Sequence, residues 1–364
     1  MDVAVIGRCF SMCPEKERIM REREGLLHVL EIDEKTKNQK RPKCDPSKIV
    51  KCYSRPSAGM FMTDPNQLRP GPVLMVTLRY LLSTVVTRTD VKWSRIYEFV
   101  FDRIRAIRQD IVIQMLDIPT SIRLFEPIVK FYIYSNERLC EKSLNEFVPK
   151  FNNEHLLECI KQLLVMYDEY EQYNVDKSSM ENNCRTTIEV LYILLHLGDQ
   201  VALRRGLNLP KKYREEPYIK KALKISLACH VKNYARVCRE IRKLPSLFSI
   251  AAIRNLQYIR RDTFEIMSCS YNSQKQTFSA YKLKEILLYE DLGNLKRDCD
   301  LFGFNFNNGN VAFENKKFNR NILNAHPEQH IPDETLHSFL PAILLSNENL
   351  LLNEKNKKFT VKKI

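Results

Sequence analysis

Glycine is scarce in this chain, 9 residues in 364, and the scarcity excludes two large classes at once. Loops that cradle phosphates need glycine at fixed offsets, and β-sandwiches need it in their many tight turns. No HExxH, GxSxG or P-loop sequence is present, and the seven histidines are dispersed without ligand spacing. The longest apolar run, 73–86, is interrupted by Arg79 and is too short to span a bilayer, so no membrane partner is expected. The first ten residues, MDVAVIGRCF, carry neither a charged n-region nor a long apolar core, and a secretory leader is not expected. The 11 cysteines run from Cys9 to Cys299, mostly inside apolar helical patterns, which reads as small buried hydrophobes rather than a disulfide framework. Cys9, Cys13, Cys44 and Cys52, even with His28, match no common closed zinc spacing. No metal, no cofactor and no catalytic residue is therefore assigned.

What the chain has is helical periodicity. Residues 92–116, KWSRIYEFVFDRIRAIRQDIVIQML, place Val100, Ile104, Ile107, Ile111 and Met115 on one apolar seam. Phe99, Ala106 and Ile113 form a second seam, so this helix is expected to have neighbours on both sides. Between the seams lie Asp102, Arg103, Arg105, Arg108, Gln109 and Asp110, either a solvated stripe or a set of paired buried charges. Their spacing pairs Asp102 with Arg105 and Arg105 with Gln109. Further helices are predicted over 72–87, 122–140, 154–170, 183–197, 218–231, 233–244 and 250–267, with Pro210, Pro217 and Pro245 as stops. His196 falls on an apolar helix face and reads as a core histidine.

Helix pairs without an exact repeat predict an all-α solenoid of TPR-like pairs over 72–270. Ahead of it, 1–71 reads as a helix from Pro14 followed by an extended arm that carries Tyr53, Met60 and Phe61. Behind it, Ser279 and Asp291 each precede a short amphipathic helix, and Asn308-Gly309 is a hairpin signal between alternating segments. That order, over 271–318, predicts a winged-helix subdomain of PCI type. Residues 319–364 read as a tail, partner-binding or disordered.

Charge is concentrated rather than spread. Segment 204–261 holds 16 Lys and Arg against three Glu, nearly all of the net +14 of the whole chain. Lys211, Lys212, Arg214, Lys220, Lys221, Lys224, Arg236, Arg239, Lys243, Arg260 and Arg261 are the candidate nucleic-acid contacts. Tyr213, Tyr218 and Tyr234 are interleaved as stacking platforms for single-stranded bases. The competing reading is a surface that holds an acidic protein. The candidate recognition helix of the wing balances Lys296 and Arg297 with Asp298 and Asp300, which suits protein docking better than major-groove reading.

The segment FDRIRAIRQD, 101–110, resembles the central signature of the Sac/GANP family, the helical scaffolds of nuclear mRNA export. Gly7, Arg8 and Cys9, then Met12, Cys13 and Pro14 with Glu17, resemble its opening motif. The run Val50 to Arg55 (VKCYSR), followed by Ala58 and Gly59 and then by Leu68, Arg69 and Pro70, resembles its second. Asn233 and Tyr234 with Arg236 resemble a later helix of the family, and the likeness extends over 7–318. The resemblance implies a non-enzymatic scaffold that pairs with a PCI-domain protein and a small acidic subunit, and that binds RNA in the nucleus. It implies a structural role for Cys9, Met12, Cys13, Pro14, Tyr53, Arg55, Gly59, Asp102, Arg103, Arg105, Arg108, Gln109 and Asp110, which would clamp the arm to the helices. The short branch of the family, associated with centrosome duplication and mitotic progression, gives an alternative role at the centrosome or in the cytoplasm. A PCI-type assembly subunit without RNA contact is a third.

Overall fold

A computed structural model of the chain describes residues 5–55, 64–173, 182–273 and 275–345. Its described residues are mostly helical. After α1 (Glu15–Arg23), the body runs through α2 (Gly71–Tyr80), which continues as a π-helical turn over Leu81–Val85, α3 (Trp93–Gln114), α4 (Ile118–Leu139) and α5 (Pro149–Tyr173). It continues through α6 (Asn182–Leu195), α7 (Gln200–Asn208), α8 (Lys211–Arg214), α9 (Pro217–His230), α10 (Tyr234–Ile241), α11 (Ser246–Ile253) and α12 (Leu256–Ser270). The helix expected over 250–267 is thus two helices, broken at Arg254 and Asn255, and α7 and α8 fill a stretch where no helix is predicted.

The two seams of α3 both reach the interior. Val100, Ile104 and Ile107 are fully buried on one, as are Phe99 and Ala106 on the other. Met115 instead turns left-handed (φ 49°) and exposed, which ends the helix. The Asp117 side chain then accepts from Thr120 N at 2.9 Å and starts α4. One continuous core joins Leu30 and Val50 of the N-terminal segment, helices α2 to α11, and Leu336, Ile343 and Leu344 near the end of the described chain. The arm is therefore part of the body. Gly7 N donates to Gln114 Oε1 at 2.9 Å and Cys9 N to Leu68 O at 3.0 Å. A Cβ at Gly7 would lie 2.4 Å from Leu68 O, so only glycine fits there.

After α12 come β1 (Thr277–Ser279), α13 (Ala280–Ile286), α14 (Leu292–Phe302), β2 (Asn305–Asn307) and β3 (Asn310–Ala312). The strands form an antiparallel sheet in the order β1-β3-β2, with Val311 facing both Phe278 and Phe306. β1 is a third strand that no alternation in the sequence announces, and Ser279 lies in it without making the capping bond expected of it. A second core of Phe264, Phe302, Phe304, Phe313 and Phe318 fills this subdomain.

Residues 319–345 do not form a tail. They cross from the subdomain back to the body and carry α15 (Asp333–Ser338) and α16 (Ala342–Leu345), whose apolar residues enter the main core. The sequence pattern underrated this segment because its few apolar residues meet partners nearly two hundred residues earlier in the chain. His330 N and Ile331 N both donate to Glu137 Oε1 on α4, at 2.7 and 3.1 Å. The basic end, 346–364, and the arm residues Gly59, Met60 and Phe61 lie outside the described residues.

Candidate nucleic-acid interface

Two charged regions are distinct in the structure: a buried ionic clamp around α3, and an exposed basic face on α8 to α10. In the clamp, Glu31 is fully buried and takes both Arg21 Nη2 and Arg103 Nη2, the latter at 3.1 Å. Asp110, also fully buried, takes Lys51 Nζ at 2.6 Å and Arg69 Nε at 2.7 Å. Asp102 binds Arg103 Nη1 at 2.6 Å and accepts from Tyr53 N at 3.2 Å. The Arg105 guanidinium stacks on the Tyr53 ring at 3.7 Å, and Gln109 Nε2 donates to Ser54 O at 2.8 Å. Met12 O accepts from Lys51 N at 3.0 Å and from Arg69 Nη1 at 3.2 Å, which ties the opening motif to the same network. Pro14 stands at the N-cap of α1, and Arg55 is exposed.

The partners differ from those that spacing suggests. Asp102 pairs with its neighbour Arg103 and with the arm, not with Arg105. Arg108 leaves the arm altogether and pairs with Glu158 on α5 at 2.7 Å, beside His155 at 3.0 Å. Glu31, Lys51 and Arg69 are the clamp residues that helix periodicity missed. For Glu31 the signal is a lone acid between Leu30 and Ile32. Cys9, Cys13 and Cys44 are buried and Cys52 is partly buried, all four as free thiols. Burial pushes the Cys52 thiol up to about 12 and the Cys13 thiol higher still, so both stay protonated and are poor metal ligands. Among the described residues no group of three His, Cys, Asp or Glu side chains is placed to hold a metal ion.

The basic face is built by amphipathic geometry. Val237 and Ile241 turn α10 inward, which leaves Arg236, Arg239 and Lys243 exposed. On α9, Ile219, Leu223 and Ser226 are buried, while Lys220, Lys221 and Lys224 point out. The two helices pack together, and Glu240 sits where they meet. Its carboxylate has Lys243 at 3.2 Å, Lys224 at 3.8 Å and Arg239 at 4.0 Å. Burial raises its pKa, but Lys243 and the other two cations outweigh that and hold it below the usual range, so it stays ionised. Lys211, Lys212 and Arg214 are exposed on α8; Lys212 pairs with Glu171 at 3.0 Å and Lys211 with Glu215 at 3.7 Å. Lys220, Lys221 and Arg236 have no ion-pair partner among the described residues.

Arg260 and Arg261 do not belong to this face. Arg260 is 1% exposed, donates to Leu287 O and Leu288 O, stacks on Tyr289 at 3.7 Å and faces Glu328 at 2.6 Å. It anchors the subdomain to α12, a role invisible to a count of charges along the sequence. Arg261 is held by Asp262 at 3.0 Å and by Glu265. Two of the three stacking platforms are also absent: Tyr213 and Tyr234 are buried, with hydroxyls donating to Glu171 and Asp262. Tyr218 keeps partial exposure. On α14, Asp298 is buried and accepts from Tyr289 Oη at 2.7 Å and from His326 N at 3.0 Å. Among the described residues no helix is long and apolar enough to cross a membrane.

A helical body with a charge-clamped arm, an exposed basic face and a small subdomain of helices and a short sheet defines a mostly helical, scaffold-type class. Comparison with known proteins places the chain within that class. It belongs to the SAC3/GANP family, whose model matches residues 12–308. It is 27% identical over 308 residues to SAC3 family protein 1 of Schizosaccharomyces pombe, which covers 79% of this chain and 29% of that protein. It is 29% identical over 248 residues to SAC3 family protein B of Arabidopsis thaliana, covering 66% of this chain and 14% of the relative. It is 30% identical over 245 residues to Protein xmas of Drosophila melanogaster, covering 64% and 11%. The chain thus spans less than a third of the length of each of these relatives.

Proposed function

We propose that the chain is a non-enzymatic scaffold of nuclear mRNA export that binds RNA through the exposed face of α8 to α10. The observation that carries this reading is the juxtaposition of Lys220, Lys221 and Lys224 with Arg236, Arg239 and Lys243 on two packed helices, with Glu240 between them. Phosphate contacts of this kind supply affinity without sequence preference. Family membership supports the export role. In this reading the stacked helix pairs are a TPR-like solenoid, and α12 to β3 with the order β1-β3-β2 is a winged helix, together a PCI-type architecture. Such an architecture pairs side by side with a second PCI-domain protein and a small acidic subunit. The charge-balanced wing helix is then a protein-docking element.

The test is reversal of Arg236, Arg239 and Lys243 together to Glu. Binding of labelled single-stranded RNA is measured over several salt concentrations, with the wild type alongside. The triple variant should bind unrelated sequences more weakly, with the salt slope reduced by about 0.7 for each lost contact. Its folding should survive, because all three side chains are exposed. Equal affinity and equal slope would remove RNA from this face and leave an acidic protein as its occupant.

A further inference from the structure

The fold gives its enclosed arginines carboxylate partners with near regularity. Arg21, Arg69, Arg103, Arg138, Arg185 and Arg260 are all buried, and each faces a carboxylate within 3.6 Å. Arg254, which is partly buried, has no carboxylate partner among the described residues. It closes α11 at the corner before α12, and its Nη1 is sealed from solvent without a hydrogen-bond partner. No ion pair, hydrogen bond or ring contact holds the guanidinium among the described residues. An unpaired charge in such surroundings is costly, and burial alone holds the Arg254 pKa below its ordinary value.

The end of α6 is the neighbouring source of carbonyl oxygens, and those oxygens already serve other donors. Leu194 O takes Asn255 Nδ2 at 2.8 Å, Tyr192 O takes His196 Nδ1 at 2.8 Å, and Leu197 O takes Tyr258 Oη at 2.5 Å. His196 is the titratable group beside Arg254. Burial first, and then Arg254 as the leading charge, hold the imidazole neutral. The other charges that act on it are Asp199 and Lys161. Asp199 is committed to the N-terminus of α7, accepting from Val201 N at 2.6 Å, while Lys161 is exposed and has no ion-pair partner among the described residues. The corner between α6 and α12 therefore holds Arg254, His196 and Lys161, with Asp199 already engaged.

We propose that this corner is a docking site for a single oxyanion, supplied by a carboxylate side chain of a partner protein. A carboxylate is planar and small enough to meet the part of the guanidinium that stays open to solvent while Nη1 is sealed. A polymer backbone phosphate, flanked by its sugars, is not. The Asn255 and Tyr258 hydrogen bonds fix the corner in advance, so docking needs no rearrangement of the helices. The site is independent of the basic face on α9 and α10.

The experiment compares thermal unfolding of the full chain, wild type and Arg254→Met, in sodium sulfate, sodium acetate and sodium chloride at matched ionic strength. Sulfate stabilises proteins generally by exclusion from their surface, so the readout is the difference between the two proteins. At about ten times its dissociation constant an anion bound only by the native state should raise the wild-type midpoint by roughly 2 °C beyond the chloride control. Arg254→Met should lack that increment and should melt at or above wild type in chloride, because an unpaired charge has been removed. A variant that responds to sulfate and acetate as wild type does would overturn the site. So would a variant markedly less stable than wild type in chloride, because the guanidinium would then already be satisfied. A labelled oligouridylate provides the other arm. If Arg254→Met weakens its binding as the α10 triple reversal does, the occupant is a nucleic-acid phosphate and the carboxylate assignment fails. Retained binding separates this site from the RNA reading, whichever way the triple reversal turns out.

Discussion

Asp110 offers the sharpest test of how the arm is held. Its carboxylate is fully buried and neutralises two cations that are themselves buried, Lys51 at 2.6 Å and Arg69 at 2.7 Å. Replacing it by Ala leaves both charges enclosed, with carbonyl acceptors alone among the described residues: Gln67 O for Lys51, at 2.7 Å, and Met12 O for Arg69, at 3.2 Å. Breaking a buried pair from one side costs about 3–5 kcal/mol, and two stranded cations place Asp110→Ala at about 4 kcal/mol. With a urea m-value near the upper end for single domains, about 3 kcal/mol/M, the unfolding midpoint should fall by roughly 1.3 M. Raising the salt should not restore it, because enclosed charges are little screened. Limited proteolysis should then cut within 33–46, where the arm is released. Replacing the whole set, Lys51→Met, Arg69→Met and Asp110→Leu, should recover most of the loss, since an apolar cluster of similar volume is often as stable as the ions it replaces. A single Asp110→Ala protein within about 1 kcal/mol of wild type would refute the clamp, as would a triple variant no better than the single one.

Arg260→Ala should cost about 3–5 kcal/mol by stranding Glu328, and it should leave the salt slope of RNA binding unchanged, which denaturation and binding titrations check together. Gly7→Ala should destabilise the arm, because the new Cβ meets the Leu68 carbonyl and the Gln114 side chain; wild-type stability would show that the backbone yields there. Glu137 makes a pH prediction. Burial pushes it up to about 7 despite two backbone donors, so from about 4.5 upward its native-state proton is one the unfolded chain has released, and stability falls as pH rises. His330 works in the opposite sense: burial and Arg260 depress its pKa, so below its ordinary 6.5 the unfolded chain takes up a proton that the native state refuses. The two slopes oppose each other between pH 4.5 and 6.5 and flatten the wild-type profile. Glu137→Gln should gain on the order of 3 kcal/mol relative to wild type above pH 7 and lose stability on acidification below 6.5. Melting temperatures from pH 4.5 to 8 measure this, and a variant profile parallel to that of wild type would contradict it.

How much of this was legible beforehand depends on whether the cause is local. The seams of α3, the Asp291 cap and the Gly303 stop at φ 86° are short-range effects, and the sequence pattern carries them directly. Charge between the seams left a solvated stripe and buried pairing both open, and the partners did not follow, because Glu31, Lys51 and Arg69 reach α3 from the arm. Arg260 misled for the same reason: its carboxylate, Glu328, is 68 residues further along, so a local count of charges sees a free cation. Tyr213 and Tyr234 lie in basic stretches but on the buried side of short helices. The corner at Arg254 and Asn255 was hidden by apolar residues whose period continues unbroken from α11 into α12.

The segment that returns from the subdomain to α4 also has a consequence for synthesis. Glu137 meets its backbone donors only when residues 330 and 331 have left the ribosome, and Leu336, Ile343 and Leu344 join the core later still. At about 5–20 residues per second the nascent chain spends roughly 10–40 s with that side of α4 uncovered, its apolar positions open to chaperones and its buried carboxylate still wet. The body therefore closes from its last residues backward. A stalled or prematurely ended chain would carry a nearly complete set of helices and lack the piece that seals them.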